Sequence, residues 1–184
     1  MQAYLLAAGK GTRAGGPKAW LDCGGETLLE RQVKFLSSLF PPDDVAVSIQ
    51  QGWIERCRSL NASVRWVGVD PQAPALASLQ ALLQAMPLRE WAFVHHVDMP
   101  VWEPGLFDLI AVNLPEPADC DAVVPLHQGM KGHPVALSAR AHPALLALDP
   151  STGRLDHWLQ GAAVRALEVP YACVRENWNR GAPR

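Results

Sequence analysis

Residues Tyr4–Leu21 read YLLAAGKGTRAGGPKAWL. A continuously apolar run breaks abruptly into glycines with cations among them. A strand buried on both faces has that unbroken apolar look, and a glycine ends it. Three anion-binding readings of the loop compete. A P-loop needs lysine directly after its last glycine, but the count from Gly11 reaches Gly16 and then Pro17. The dinucleotide fingerprint GxGxxA is matched by Gly9, Gly11 and Ala14. However, Gly15, Gly16 and Pro17 interrupt the helix it requires, and the next apolar run ends SIQQ where a ribose-binding acid should stand. The third reading takes the loop whole. Glycines leave backbone N–H groups open to an anion, and Arg13 and Lys18 supply charge suited to a triphosphate. The plain alternative is a solvated turn with two surface cations.

Outward from this loop, strand-like and helical patterns alternate. Runs 3–7, 44–50, 63–69, 91–98, 121–126, 133–138 and 164–169 read as strands. Runs 27–40, 52–60, 74–86 and 105–114 read as helices, with shorter ones at AHPALLAL and RLDHWLQ. Thr27 and Glu30 form a capping box, and Pro41–Pro42 stop that helix. The alternation predicts an α/β fold, a mostly parallel sheet with helices on both faces, in one domain over 1–184. In such sheets ligands sit beyond the C-terminal strand ends, where the glycine loop and Asp98 both fall.

Composition narrows the function. The 184 residues carry a net charge of -2, with 49% hydrophobic and 18% charged residues. No basic field suited to nucleic acid is present. No segment has the apolar length of a membrane span, and the start lacks the basic flank of a signal peptide. Cys23, Cys57, Cys120 and Cys173 form no CxxC pair, which fits reduced thiols in the cytoplasm.

Four segments together resemble the MobA-like NTP transferase family, the nucleotidyltransferases related to molybdenum-cofactor enzymes. Leu6, Ala7, Ala8, Gly9, Gly11, Arg13, Gly15 and Lys18 fit its pattern L-A-[AG]-G-x-[GS]-x-R-x-G-x-x-K. VDMP (97–100), GHPVAL (132–137) and ENWNRGAP (176–183) resemble its later motifs, in the family's order. Val97 replaces a glycine, and Arg180–Gly181 replace a threonine–proline. The resemblance implies a Rossmann-like three-layer α/β/α fold. It also implies Mg²⁺-dependent transfer of a nucleotidyl group with release of pyrophosphate.

The resemblance further implies roles. Arg13 and Lys18 hold the triphosphate, Lys18 nearest the transferring group. The Ala7–Ala8–Gly9 backbone meets the base, with Leu6 and Gly11 in the same nucleotide-binding segment, and Ser78 touches the nucleotide. Asp98 ligates Mg²⁺. Asn177 takes the second metal position, with Glu176 beside it as the alternative source of charge. Lys131 and His133 face a phosphorylated acceptor. Asp156, His157 and Trp158 either shape the acceptor pocket or form an amphipathic helix. The L-A-A-G form favours CTP, and molybdopterin is the favoured acceptor; sugar or alditol phosphates, or a non-catalytic nucleotide-binding module, are the alternatives. His95 and His96, adjacent on a strand, point to opposite faces and so do not share one metal ion.

Overall fold

The computed structural model describes residues 1–11 and 16–178. The apolar run before the glycines forms β1 (Gln2–Leu6), buried throughout. Its alternate residues enter two different cores. Ala3 and Leu5 join one apolar layer, and Tyr4 and Leu6 the other. β4 (Trp91–His96) does the same, with Trp91 and Phe93 on the first face and Ala92 and Val94 on the second. This period of two places β1 and β4 in the middle of a sheet covered on both sides.

The other strands are β2 (Val45–Gln50), β3 (Arg65–Val69), β5 (Ala122–His127), β6 (Met130–Lys131), β7 (Val135–Ser138) and β8 (Val164–Glu168). Among the described residues these eight strands make one sheet in the order β3-β2-β1-β4-β7-β5-β6, with β8 paired to β5. β1–β4, β5 and β8 run one way; β6 and β7 run the other.

The helices are α1 (Leu28–Leu39), α2 (Ile54–Leu60), α3 (Ala75–Ala85), α4 (Pro104–Val112), α5 (Ala141–Ala147) and α6 (Leu155–Gly161). α1, α2 and α4 contribute to the first apolar layer, and α3, α5 and α6 to the second. The result is the expected three-layer, mostly parallel arrangement.

Several segment boundaries differ from expectation by a residue or two, and three of the differences bear on the site. The strand expected over 91–98 ends at His96, because Val97 and Asp98 enter a turn. The helix expected over 52–60 divides into a short 3-10 turn, Gln51–Trp53, followed by α2. The strand expected over 133–138 begins at Val135. α1 starts as its capping box dictates: Glu30 N–H donates to Thr27 Oγ1 at 3.2 Å, and Thr27 N–H to Glu30 Oε2 at 2.7 Å. Among the described residues no helix is long and apolar enough to cross a membrane.

Candidate active site

Parallel strand direction gathers the ends of β1, β2, β4 and β5 at one edge, together with the start of β7. The pairing of β1 extends past its end. Ala7 N–H donates to Ser48 O at 2.9 Å, and Val97 N–H donates to Leu6 O at 3.0 Å. The side chain of Gln50, the last residue of β2, donates from Nε2 to Ala8 O at 3.1 Å. The backbone at Ala7–Ala8 is thus fixed from β2, with Leu6 just before it held from the turn after β4, while Gly9 is exposed beyond them.

The glycine loop closes on itself. Gly16 N–H donates to Gly11 O at 3.2 Å, and Gly11 has φ of +61°. A Cβ on Gly11 would lie 1.7 Å from Gly16 O, so both the handedness and the contact require glycine. Arg13 and Gly15 lie outside the described residues. Directly after the loop, a 3-10 turn spans Lys18–Trp20. It aims Lys18 at the turn after β4, where Nζ meets Asp98 Oδ2 at 2.5 Å. The two side chains are 16% and 17% exposed, so this is a partly desolvated pair rather than a surface one.

Asp98 is also reached from the far end of the chain. Trp178 N–H donates to Asp98 O at 2.8 Å, which places Asn177 one residue from the contact. Asn177 and Glu176 are both exposed. Glu176 N–H closes the preceding 3-10 turn, Ala172–Arg175, by donating to Cys173 O at 3.0 Å. The structure therefore brings Lys18, Asp98 and Asn177 to one strand edge from positions far apart in sequence.

The two histidines separate by face, as expected. His95 is fully buried, 6.5 Å between ring centroids from Phe107. Burial, helped by the neighbouring His133 and His96, lowers its pKa to about 3. His96 is half-buried on the other face, its ring edge-on to His133 at 5.4 Å. Burial lowers the His96 pKa as well, and lowers that of His133 to about 4. All three rings are neutral near pH 7.

A cavity of about 540 Å³ opens beside His96 and His133, between α3, α6 and the sheet. Leu76, Leu79, Val94 and Val124 give it apolar walls; His96, Lys131 and His133 form a polar end. The cavity contains both residues expected at the acceptor, with Lys131 exposed and His133 half-buried. Asp156 lines it too and pairs with Arg154 at 2.8 Å. His157 is exposed, and Trp158 packs against the second core. Ser78 is buried on the first turn of α3, its N–H donating to Pro74 O at 3.2 Å, and is not part of the cavity wall.

The motif reading passed over two glutamines, Gln50 at Ala8 and Gln32 beneath Asp98. Gln32 had a signal. It lies on the apolar stripe Leu28, Leu29, Val33, Leu36 of an otherwise amphipathic helix.

Among known proteins, the bifunctional enzyme IspD/IspF of Anaeromyxobacter sp. (strain Fw109-5) is 30% identical, over 94% of this chain and 48% of its own. The chain thus spans about half the length of this curated relative. Rv0371c from Mycobacterium tuberculosis H37Rv superposes with a TM-score of 0.79 at 22% identity, over 97% of this chain and 94% of that one. Its complex with manganese superposes with a TM-score of 0.71 at 22% identity, over the same shares of the two chains. Residues 3–167 match the model of the MobA-like NTP transferase domain, nearly the whole described chain. With its glycine loop, Lys18–Asp98 pair and strand order in place, this chain belongs to the MobA-like NTP transferase family.

Proposed function

We propose that residues 1–184 form one nucleotidyltransferase domain that transfers CMP from CTP to a phosphorylated acceptor, molybdopterin, and releases pyrophosphate. One observation carries this reading: the Lys18–Asp98 pair at 2.5 Å, set beside a glycine loop closed on itself. A cation and a carboxylate at the mouth of an anion-binding loop suit a triphosphate and its metal ion.

An acceptor phosphate oxygen attacks the α-phosphorus. A P–O bond forms there, the α–β bridging P–O bond breaks, and its electron pair leaves with pyrophosphate. The protein's part is positioning and charge neutralisation. Lys18 and Arg13 take the triphosphate oxygens, and the glycine loop at Gly11 leaves backbone N–H groups open to the phosphates. Ala7, Ala8 and Gly9 present backbone to the base, with Leu6 just before them, and Ser78 supports the nucleotide from α3. Ala8 in the L-A-A-G form favours cytosine.

The site residues fit a magnesium ion. Asp98 offers a carboxylate and Asn177 an amide oxygen, both hard donors, with Glu176 adjacent as the alternative. Among the described residues no group of three or more His, Cys, Asp or Glu forms a metal cage. Magnesium accepts so few protein ligands when phosphates and water complete its shell. When bound, the ion neutralises charge on the phosphate oxygens. The manganese complex of the neighbouring fold supports a divalent-cation requirement.

Lys131 brings the positive charge for the acceptor phosphate, and neutral His133 a hydrogen-bonding ring. The apolar walls suit a flat heterocycle better than a polyol. All four cysteines are unpaired, which supports a cytoplasmic setting.

The experiment is pyrophosphate release from CTP, GTP, UTP and ATP, each with molybdopterin and with sugar phosphates. Release from CTP with molybdopterin is expected, and Lys18→Ala should lower turnover by about 10²–10³-fold with nucleotide binding less affected. Release with UTP and glucose 1-phosphate alone would sink the cofactor assignment. Nucleotide binding without release in every combination would make the domain a binding module.

A further inference from the structure

Gln32 is fully buried on the apolar stripe of α1, where leucine would pack at less cost. Its amide is nevertheless satisfied. Nε2 donates to Val97 O at 3.2 Å and to Met99 O at 2.8 Å. Oε1 accepts from Trp102 Nε1–H at 3.1 Å. Two carbonyls on one side and an indole N–H on the other fix which end of the amide is nitrogen. The carbonyls belong to the residues on either side of Asp98. The carbonyl of Asp98 itself accepts from Trp178 N–H at 2.8 Å. Three successive carbonyls of the turn are thereby held, two by α1 and one by the C-terminal segment.

These two holds are joined. The Trp102 ring meets Trp178 edge-on, with centroids 5.4 Å apart and planes at 86°. The Arg31 guanidinium covers Trp102 at 4.3 Å from the ring centroid. Gln32 therefore touches the turn directly and, through Trp102, touches the residue that pins Asp98 from the other side. It lies in the first core, behind the turn.

We infer that Gln32 is a positioning residue: it fixes the rotation of the Asp98 turn and couples it to the segment carrying Asn177. Its catalytic consequence rests on the reading of Asp98 and Asn177 as metal ligands. Removing the amide takes this partner from the buried Val97 carbonyl and the Trp102 indole N–H and leaves Met99 O with Val101 N–H alone, at 2.9 Å, so the turn regains freedom to rotate.

The test uses the full chain with Gln32→Leu and Gln32→Met, which keep an apolar stripe, and Trp102→Phe, which keeps a ring but removes the indole donor. Hydrogen exchange at the Trp178 amide reads the turn without any ligand. In Gln32→Leu it should quicken about tenfold, the scale of one lost buried hydrogen bond, while β2 amides hold their protection. Trp102→Phe should move it in the same direction by less. The Mn²⁺ concentration for half-saturation, with a non-hydrolysable CTP analogue present, should rise by a similar factor. Gln32→Met covers the case in which the leucine variant does not fold. Unchanged exchange at Trp178 in a folded variant overturns the inference. Parent protein that binds no Mn²⁺ with the analogue overturns the metal-site reading instead, and exchange at Trp178 still decides the positioning role.

Discussion

His95 shows how one buried ring shapes acid stability. The ring is fully buried, and that burial depresses its pKa to about 3. His133 is depressed to about 4, also by burial first. The unfolded chain protonates both near the ordinary histidine value of about 6.5, while the native protein resists. Stability is therefore complete above that pH and is lost as pH falls toward 4 and 3. Each ring contributes a slope of about 1.4 kcal/mol per pH unit within its window. Urea midpoints measured from pH 7 down to 4.5 should fall, and His95→Leu should fall less steeply; a variant with the parent's slope would show that His95 is not responsible. Strand alternation foretold that His95 and His96 would part. It could not say which faced the core, because that depends on the helices packed on each side. Lys18 and Asp98 were legible as separate candidates, 80 residues apart in sequence, but not as a pair at 2.5 Å. That distance depends on how the 3-10 turn after the loop is seated against β4.

α1 is the element whose start was written most plainly. A threonine, a glutamate three residues on and an apolar stripe place the helix start before any fold is known. Both reciprocal bonds form in the structure. Thr27→Ala removes one acceptor at the cap and should lower the unfolding free energy by about 1 kcal/mol in chemical denaturation. A change near zero would show that packing alone holds this end. The stripe of the same helix carried a second message in Gln32. A polar residue among Leu28, Leu29, Val33 and Leu36 signals a buried partner, but its identity lies on the loop after β4. β4 itself runs two residues shorter than its apolar pattern. Val97 is still buried and its N–H still pairs with Leu6 O, but its backbone has entered the turn that takes Asp98 out of the strand. Burial outlasts strand conformation at this point, and hydropathy reports only burial.

At the scale of the molecule, the C-terminal segment closes the site from outside the strand alternation. Val174 is buried in the first core, and its carbonyl accepts from His133 N–H at 2.8 Å. Gly132 permits that approach: a Cβ there would lie 2.5 Å from Val174 O and 2.6 Å from its Cγ2. Gly132→Ala should push the segment away and cost about 1–3 kcal/mol in urea denaturation. Gly161→Ala is the comparison, since a Cβ there meets nothing within 4 Å. Equal stabilities for the two variants would mean that the segment is not held at Gly132. The sequence by itself determined the α/β class, the buried strands on either side of the site, the capped helix and the glycine loop. Each follows from local periodicity or backbone freedom. Only the tertiary structure decided that β7 runs antiparallel between β4 and β5, that Lys18 meets Asp98, and that Trp178 returns to the same turn. Those outcomes depend on contacts between residues far apart in the chain, and no local pattern encodes which partners will satisfy them.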